Sequence, residues 1–503
     1  MPQTIALSLV SHTNVGKTTL ARTLLGRDVG EVRDEPHVTQ SADMHEMVAT
    51  SAGDRLVLWD TPGFGDSARL AQRLAQSRNP LGWFLAQVWD RYRDRAFWAS
   101  QQAARNVRDQ ADVVLYLVNA SEHPQDAGYV DPEMRVLDWV GKPVVVLLNQ
   151  LGRPRPADAE QADVQRWRSH LGGVACVRAV LAFDAFARCW VQEAVLFGAL
   201  AQALAPDKRD AFSGLSAQWL RQRREIFDAS LGLLSARLAR AARDREPVTE
   251  GGWTDRLRGL GIALGIRREA GDSPRQLAMR TLAERLDTDI RTSSDRMIAL
   301  HGLGGHASAE ILTRLARHYA LRERLSEGKA AALGGMVTGA LAGLKADLAS
   351  GGLTFGAGLL VGGVLGALGT AGLARAYNLV RGAEVTTLAW TEEVLDELAV
   401  SALLGYLAVA HYGRGRGDWA ASEYPAHWQG TVAATFAQQQ ERFRHAWSLR
   451  ADADTADAIE PALREALAAA AGDVLQRLYP DARIDYALPA EAADRGACAG
   501  DSR

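Results

Sequence analysis

Residues 11–19, Ser-His-Thr-Asn-Val-Gly-Lys-Thr-Thr, constrain this chain more than any other stretch. They follow a short apolar run, residues 5–10, and open a helix-like segment, residues 20–25. Strand, tight loop and helix in that order are the setting of a phosphate-binding loop. Its backbone N–H groups and the helix N-terminus behind them make an anion cradle. Gly16 lets the backbone approach a phosphate, Lys17 is expected to reach the β- and γ-phosphates, and the Thr18 hydroxyl to hold magnesium. The usual spacing wants glycine at position 11, where this chain has Ser11. The plain alternative is a chance Gly-Lys-Thr after a strand.

A second signal weighs against chance. Trp59-Asp60-Thr61-Pro62-Gly63-Phe64 ends another apolar strand, residues 56–59. A carboxylate there can bind magnesium, and the Gly63 N–H can meet a γ-phosphate. With Asn-Val-Gly-Lys followed by Asp-Thr-Pro-Gly, residues 1–200 resemble the bacterial GTPases of the Era/TrmE/septin-like class. The remainder resembles, by general pattern, the helical domain of unknown function attached to such a GTPase in some proteobacterial proteins. That second resemblance brings no known activity.

The resemblance implies further roles. The nucleotide contacts expected are Asn14, Val15, Gly16, Lys17, Thr18, Thr19, Asn149 and Asp184. The magnesium ligands expected are Thr18, Thr39 and Asp60, and the catalytic set Lys17, Thr39 and Gly63. Thr39 matches the first-switch threonine, with an ordinary loop threonine as the alternative. Asn14 matches a loop asparagine that coordinates potassium in some of these enzymes. Phe64 stands where many GTPases have a water-orienting glutamine, and it cannot orient water by hydrogen bonding. His12 either faces the γ-phosphate or packs the loop.

The base-reading pattern of the class is Asn-Lys-x-Asp, and this chain reads Asn149-Gln150-Leu151-Gly152. Losing the carboxylate that pairs with guanine costs about 1–3 kcal/mol or more. Asp184 is either a substitute carboxylate or a helix N-cap.

At 503 residues the chain has room for several domains and a sizeable core. A net charge of −3 implies no general attraction to nucleic acid, so no nucleic-acid partner is expected. Cys176, Cys189 and Cys498 form no framework and suit a reducing cytosol. The start has no basic n-region, so no signal peptide is expected. His301, His306 and His318 lack companions for a metal site.

Strands are expected at 5–10, 44–50, 56–59, 113–118, 144–148 and 174–180, several of them continuously apolar. That predicts an α/β fold, a doubly wound, mostly parallel sheet with the ligand at the strands' carboxyl ends. Residues 67–109 form an aromatic-rich insertion that either meets the C-terminal region or a partner, or packs as a helical pair on the sheet. From Ala185 onward strand patterning disappears, and helices are expected at 188–204 and 213–245. The second carries Arg221, Arg223, Arg224, Arg237, Arg240, Arg243 and Arg245, which suits anionic lipid or a solvated bundle face.

The mainly helical C-terminal region holds a glycine-rich apolar hairpin, residues 330–382. Gly335, Gly339 and Gly343, and again Gly358, Gly362 and Gly366, repeat every four residues, so two helices can approach closely. Residues 348–374 carry no charge, and as a helix they span ~40 Å against a hydrocarbon core of ~30 Å. A hairpin in a bilayer and a buried hairpin in a soluble domain both fit. The division expected is 1–200 GTPase-like, 201–329 helical, 330–382 hairpin, 383–485 helical and 486–503 mobile tail. The functional expectation is a switch that binds and hydrolyses a nucleoside triphosphate, GTP in the first place. It would be cytoplasmic, with its helical region at or in the inner membrane or on a membrane-bound partner, and with oligomers allowed. The alternatives are a nucleotide-gated scaffold with little turnover and a ribosome-associated assembly GTPase.

Overall fold

The computed structural model describes residues 2–27, 29, 42–76, 94–151, 157–185, 189–248, 274–303, 377–381, 386–412, 426–451, 453–482 and 484. Thr39, Gly152, His306, His318, Cys498, residues 77–93, residues 330–376 and the expected tail lie outside them.

Six described strands form one sheet in the order β2-β3-β1-β4-β5-β6. They are β1 (Thr4–Ser11), β2 (Asp43–Ala49), β3 (Arg55–Asp60), β4 (Val113–Asn119), β5 (Val144–Asn149) and β6 (Val177–Ala182). All neighbours are parallel except β2 and β3. The last strand sits later than the expected 174–180, because Val174 and Cys176 belong to the turn that leads into it. β1 lies between β3 and β4, so the chain leaves it towards one edge and later returns to the other. That makes the carboxyl end of β1 the topological switch point, where ligands of open α/β sheets bind.

Both faces of the sheet are covered, which explains the nearly unbroken apolar strands. Val114, Tyr116 and Val118 point to one face, where they pack with α2 (Ser67–Gln76), α3 (Arg95–Gln110), α4 (Val130–Val140) and α5 (Ala157–Leu171). The described parts of the aromatic-rich insertion, α2 and α3, are thus a helical pair on the sheet. Asp94 caps α3 by accepting the Phe97 N–H at 3.1 Å, and buried Phe97 lies under the Arg69 and Arg73 guanidinium groups.

Val113, Leu115 and Leu117 point to the other face, against α1 (Lys17–Leu25) and α6 (Trp190–Ala203). The core there does not stop at the sheet. It runs on through α7 (Arg209–Arg243), α8 (Pro274–Leu300), α9 (Glu392–Ala410), α10 (Ala426–Ser448) and α11 (Ile459–Leu478). At 35 residues, α7 is about 50 Å long. It reaches from the sheet into the helical layer. Trp190 of α6 donates to the Tyr406 hydroxyl of α9 at 3.1 Å, with Phe227 of α7 packed against both rings.

One expectation is corrected here. Strands do occur after Ala185: β7 (Glu246–Pro247), β8 (Tyr377–Arg381) and β9 (Thr386–Trp390) form a small antiparallel sheet. At two to five residues each, they are too short for periodicity to reveal. β8 also falls inside the segment expected to be hairpin. Several arginines of α7 pair with side chains of neighbouring elements, Arg223 and Arg237 in buried surroundings and Arg240 and Arg243 on the exposed face of the bundle. Arg237 donates to Ser293 at 3.1 Å, Arg240 pairs with Asp289, Arg243 with Asp457 and Arg223 with Glu193.

Candidate functional site

The parallel register of β1 and β3 sets Leu9 beside Asp60, so the two motifs leave the sheet side by side. The Phe64 N–H donates to the Ser11 carbonyl at 2.9 Å, and the Thr13 N–H to the Phe64 carbonyl at 3.3 Å. Phe64 itself is fully buried in the core, where it anchors the second motif and has no access to a water.

The loop from Ser11 to Lys17 is shaped by two left-handed residues, Asn14 at φ 64° and Gly16 at φ 95°. A Cβ on Gly16 would stand 2.9 Å from Asn149 Nδ2, so both conformation and space require glycine there. Asn149, at the end of β5, is buried and ties two loops together. Its amide donates to the Val15 carbonyl at 2.6 Å, and its carbonyl accepts the Ala185 N–H at 2.8 Å. Asn14 is exposed on the loop, and Thr19 is buried beneath it.

Lys17 is 8% exposed and donates to the Ser11 hydroxyl at 3.1 Å. The serine that departs from the usual glycine therefore holds the loop lysine. Burial pushes the Lys17 ammonium below its ordinary value, opposed by the Asp60 and Glu133 carboxylates. Thr18 donates to Asp60 Oδ2 at 2.7 Å. Burial pushes the Asp60 carboxyl up, opposed by Thr18 and Lys17. Its other oxygen, Oδ1, is buried with no hydrogen-bond partner among the protein atoms. A Cβ on Gly63 would come within 3.0 Å of Lys17 Nζ and 3.1 Å of Thr13. Ser11, Gly16, Lys17, Thr18, Asp60, Gly63 and Asn149 thus converge on one place.

Asp184 is buried at the end of β6 and accepts the Leu151 N–H at 2.9 Å. It braces the loop after β5 and does not cap the next helix, whose N-cap is Cys189. Gln150, in the lysine position of the base-reading pattern, adopts φ 57°. His301 packs on Tyr406 and hydrogen-bonds Ser230, and among the described residues no group of three His, Cys, Asp or Glu could hold a metal.

Sequence reading missed Glu133 and Tyr116. Glu133, on α4, is fully buried beside the loop. It meets His12 Nδ1 at 2.8 Å and accepts the Tyr116 hydroxyl at 2.6 Å. A tyrosine inside the apolar strand β4 was the available clue, since a buried hydroxyl needs a partner.

Residues 6–150 match the profile described as 50S ribosome-binding GTPase, and residues 175–469 the one described as Domain of unknown function (DUF3482). GTPase Der of Myxococcus xanthus is 29% identical over 150 residues, 29% of this chain and 26% of that protein. GTPase Era of Carboxydothermus hydrogenoformans is 26% identical over 156 residues, 31% of this chain and 42% of that protein. The chain thus spans less than half the length of either relative. Superposed structures include Aquifex aeolicus Era bound to GDP.AlF4- (14% identity, TM-score 0.30, 58% of this chain, 89% of that one). The cytosolic domain of L. pneumophila FeoB gives 19% identity, TM-score 0.22, 42% and 64%. Residues 151–174, between β5 and β6, separate the two matched segments, and the second begins inside the sheet and includes its edge strand. The chain carries an N-terminal P-loop GTPase domain, and through the segment 175–469 it belongs to the DUF3482 family.

Proposed function

We propose that the chain binds and hydrolyses GTP and passes the state of that site to its helical region. The observation that carries this reading is the convergence of Lys17, Thr18 and Asp60 at the switch point of the sheet. Catalysis by such a site is positioning and charge stabilisation. Lys17 and the loop N–H groups bind the phosphates. Gly63 offers its N–H to the γ-phosphate, and the Asn149 clamp holds the loop in shape.

Magnesium fits these residues, because Asp60 keeps one buried oxygen without a protein partner next to the Thr18 hydroxyl. Thr18 and Asp60 would hold it, joined by Thr39. When bound, the ion would offset charge on the phosphate oxygens. Potassium at Asn14 is part of the same proposal, as is base reading by Asp184 in place of the aspartate missing at Gly152.

Two contacts support transmission to the helical region. Arg223 of α7 donates to the Leu24 carbonyl at the end of α1 at 3.3 Å, and it pairs with Glu193 of α6 at 3.3 Å. α1 begins at the phosphate loop, and α6 follows the loop that Asn149 holds. We also propose that the charge-free run 348–374 engages a membrane; among the described residues, no helix is long and apolar enough to cross one. A ribosomal partner is the second reading, favoured by the description of the profile that residues 6–150 match.

The test is binding and turnover of GTP, GDP and ATP by the purified protein with magnesium, in sodium and in potassium. Lys17→Ala should abolish triphosphate binding and leave the far-ultraviolet spectrum unchanged, because Lys17 faces the loop and not the core. Unchanged affinity in that variant removes the assignment.

A further inference from the structure

Glu133 is a fully buried carboxylate on α4, a helix whose Val130, Met134 and Leu137 lie in the core under the sheet. Stability alone does not demand such a network, since replacing a whole buried polar group with its partners by well-packed apolar side chains is often neutral or stabilising. Its two hydrogen bonds point to a different role. One oxygen takes the Tyr116 hydroxyl from the floor of the sheet, and the other meets the His12 imidazole from the phosphate loop. The ring of His12 also stacks on Tyr129 at 4.5 Å, with 22° between the planes.

The phosphate loop therefore has two kinds of anchor. Its backbone at Ser11 and Thr13 is hydrogen-bonded to Phe64. That anchor lies next to Gly63, where an added Cβ would crowd Lys17 and Thr13 and whose backbone must follow the γ-phosphate if its N–H is to bind it. The His12–Glu133 anchor runs the other way, to α4 and β4, which are packed in the core. It can hold the loop in place while Gly63 adjusts.

Resting on the GTPase reading above, we propose that Glu133 is a positioning residue for the γ-phosphate half of the site. It acts through His12, fixing the first turn of the phosphate loop against α4. A fixed loop matters most where γ-phosphate, Gly63 and Lys17 must meet, so the pair serves GTP more than GDP.

The experiment compares Glu133→Met, Glu133→Gln and His12→Ala with the wild type in the full chain. It measures affinity for GDP and for the non-hydrolysable analogue GDPNP, GTP turnover, and the melting temperature. Glutamine keeps an acceptor for His12 and a donor for Tyr116, so Glu133→Gln should stay close to wild type. Glu133→Met and His12→Ala should lose about tenfold or more in GDPNP affinity or turnover, the scale of a hydrogen bond to a charged group, with GDP affinity nearly unchanged. Glu133→Met should melt below wild type, because it leaves the buried Tyr116 hydroxyl without its acceptor, whereas Glu133→Gln should melt close to wild type. If it fails to fold, His12→Ala still tests the pair from its half-exposed end. Wild-type turnover and GDPNP affinity in His12→Ala, equal losses for GDP and GDPNP, or a Glu133→Gln as damaged as Glu133→Met each overturn the proposal. A wild-type chain that binds neither nucleotide overturns the GTPase reading and this inference with it.

Discussion

Asn149 shows how much one side chain can settle. Its two hydrogen bonds fix the phosphate loop to the loop after β6, and Gly16 must be glycine partly because this amide is so near. Gly16, Lys17, Thr18 and Asp60 were legible as motif letters, because a phosphate and magnesium site calls for those residue types in that order, and Asn149 was legible only as the first letter of the base-reading pattern. The use of Ser11 was not, since nothing in the letter shows that its hydroxyl would accept from Lys17. Asp184 is the residue on which base choice turns in our reading. The preference for GTP over ATP should be weaker than in a protein with the full base-reading pattern. Asp184→Asn should reduce it further, by about tenfold if one carboxylate–base contact is lost. Competition binding of GTP and ATP measures this, and an unchanged ratio clears Asp184 of the role.

At the scale of elements, α9 ends in a titratable group with a fixed protonation state. His411 is buried, with Nδ1 2.6 Å from the Leu407 carbonyl and Nε2 2.6 Å from the Tyr479 hydroxyl. Nδ1–H donating to the carbonyl leaves Nε2 to accept from tyrosine, an arrangement only the neutral ring allows. Burial lowers its pKa from 6.5 to about 4. Above pH 6.5 the ring is neutral in both folded and unfolded chains. Below it, the unfolded chain takes a proton that the folded one refuses, so stability falls as pH drops from 6.5 towards 4. At pH 5 the loss is about 2 kcal/mol. The stability advantage of wild type over His411→Gln should shrink by that amount between pH 7 and pH 5 in urea titrations. An unchanged difference means that the ring is not held neutral. Neither tyrosine partner nor burial could be read from a lone histidine near a glycine-rich stretch.

At the scale of the whole molecule, one core joins the sheet to the helical layer, so the helical region is built onto the GTPase domain along α6 and α7. Deleting residues 330–376 tests the membrane proposal. If the charge-free run inserts, wild type should sediment with anionic liposomes and resist salt, and the deletion should be released with its nucleotide site intact. Wild-type protein that ignores liposomes with either GDP or GDPNP bound sinks that proposal. The sequence alone determined the strand order of chemistry: apolar runs long enough to be buried on both faces, and loops whose residue types suit phosphate, each a local property carried by neighbouring residues. Tertiary structure decided the rest. Glu133 meets His12, Arg223 meets Leu24 and Trp190 meets Tyr406 across separations of 121, 199 and 216 residues. No local period encodes such pairs, because they arise only when packing brings distant elements together and burial forces each polar group to find a partner.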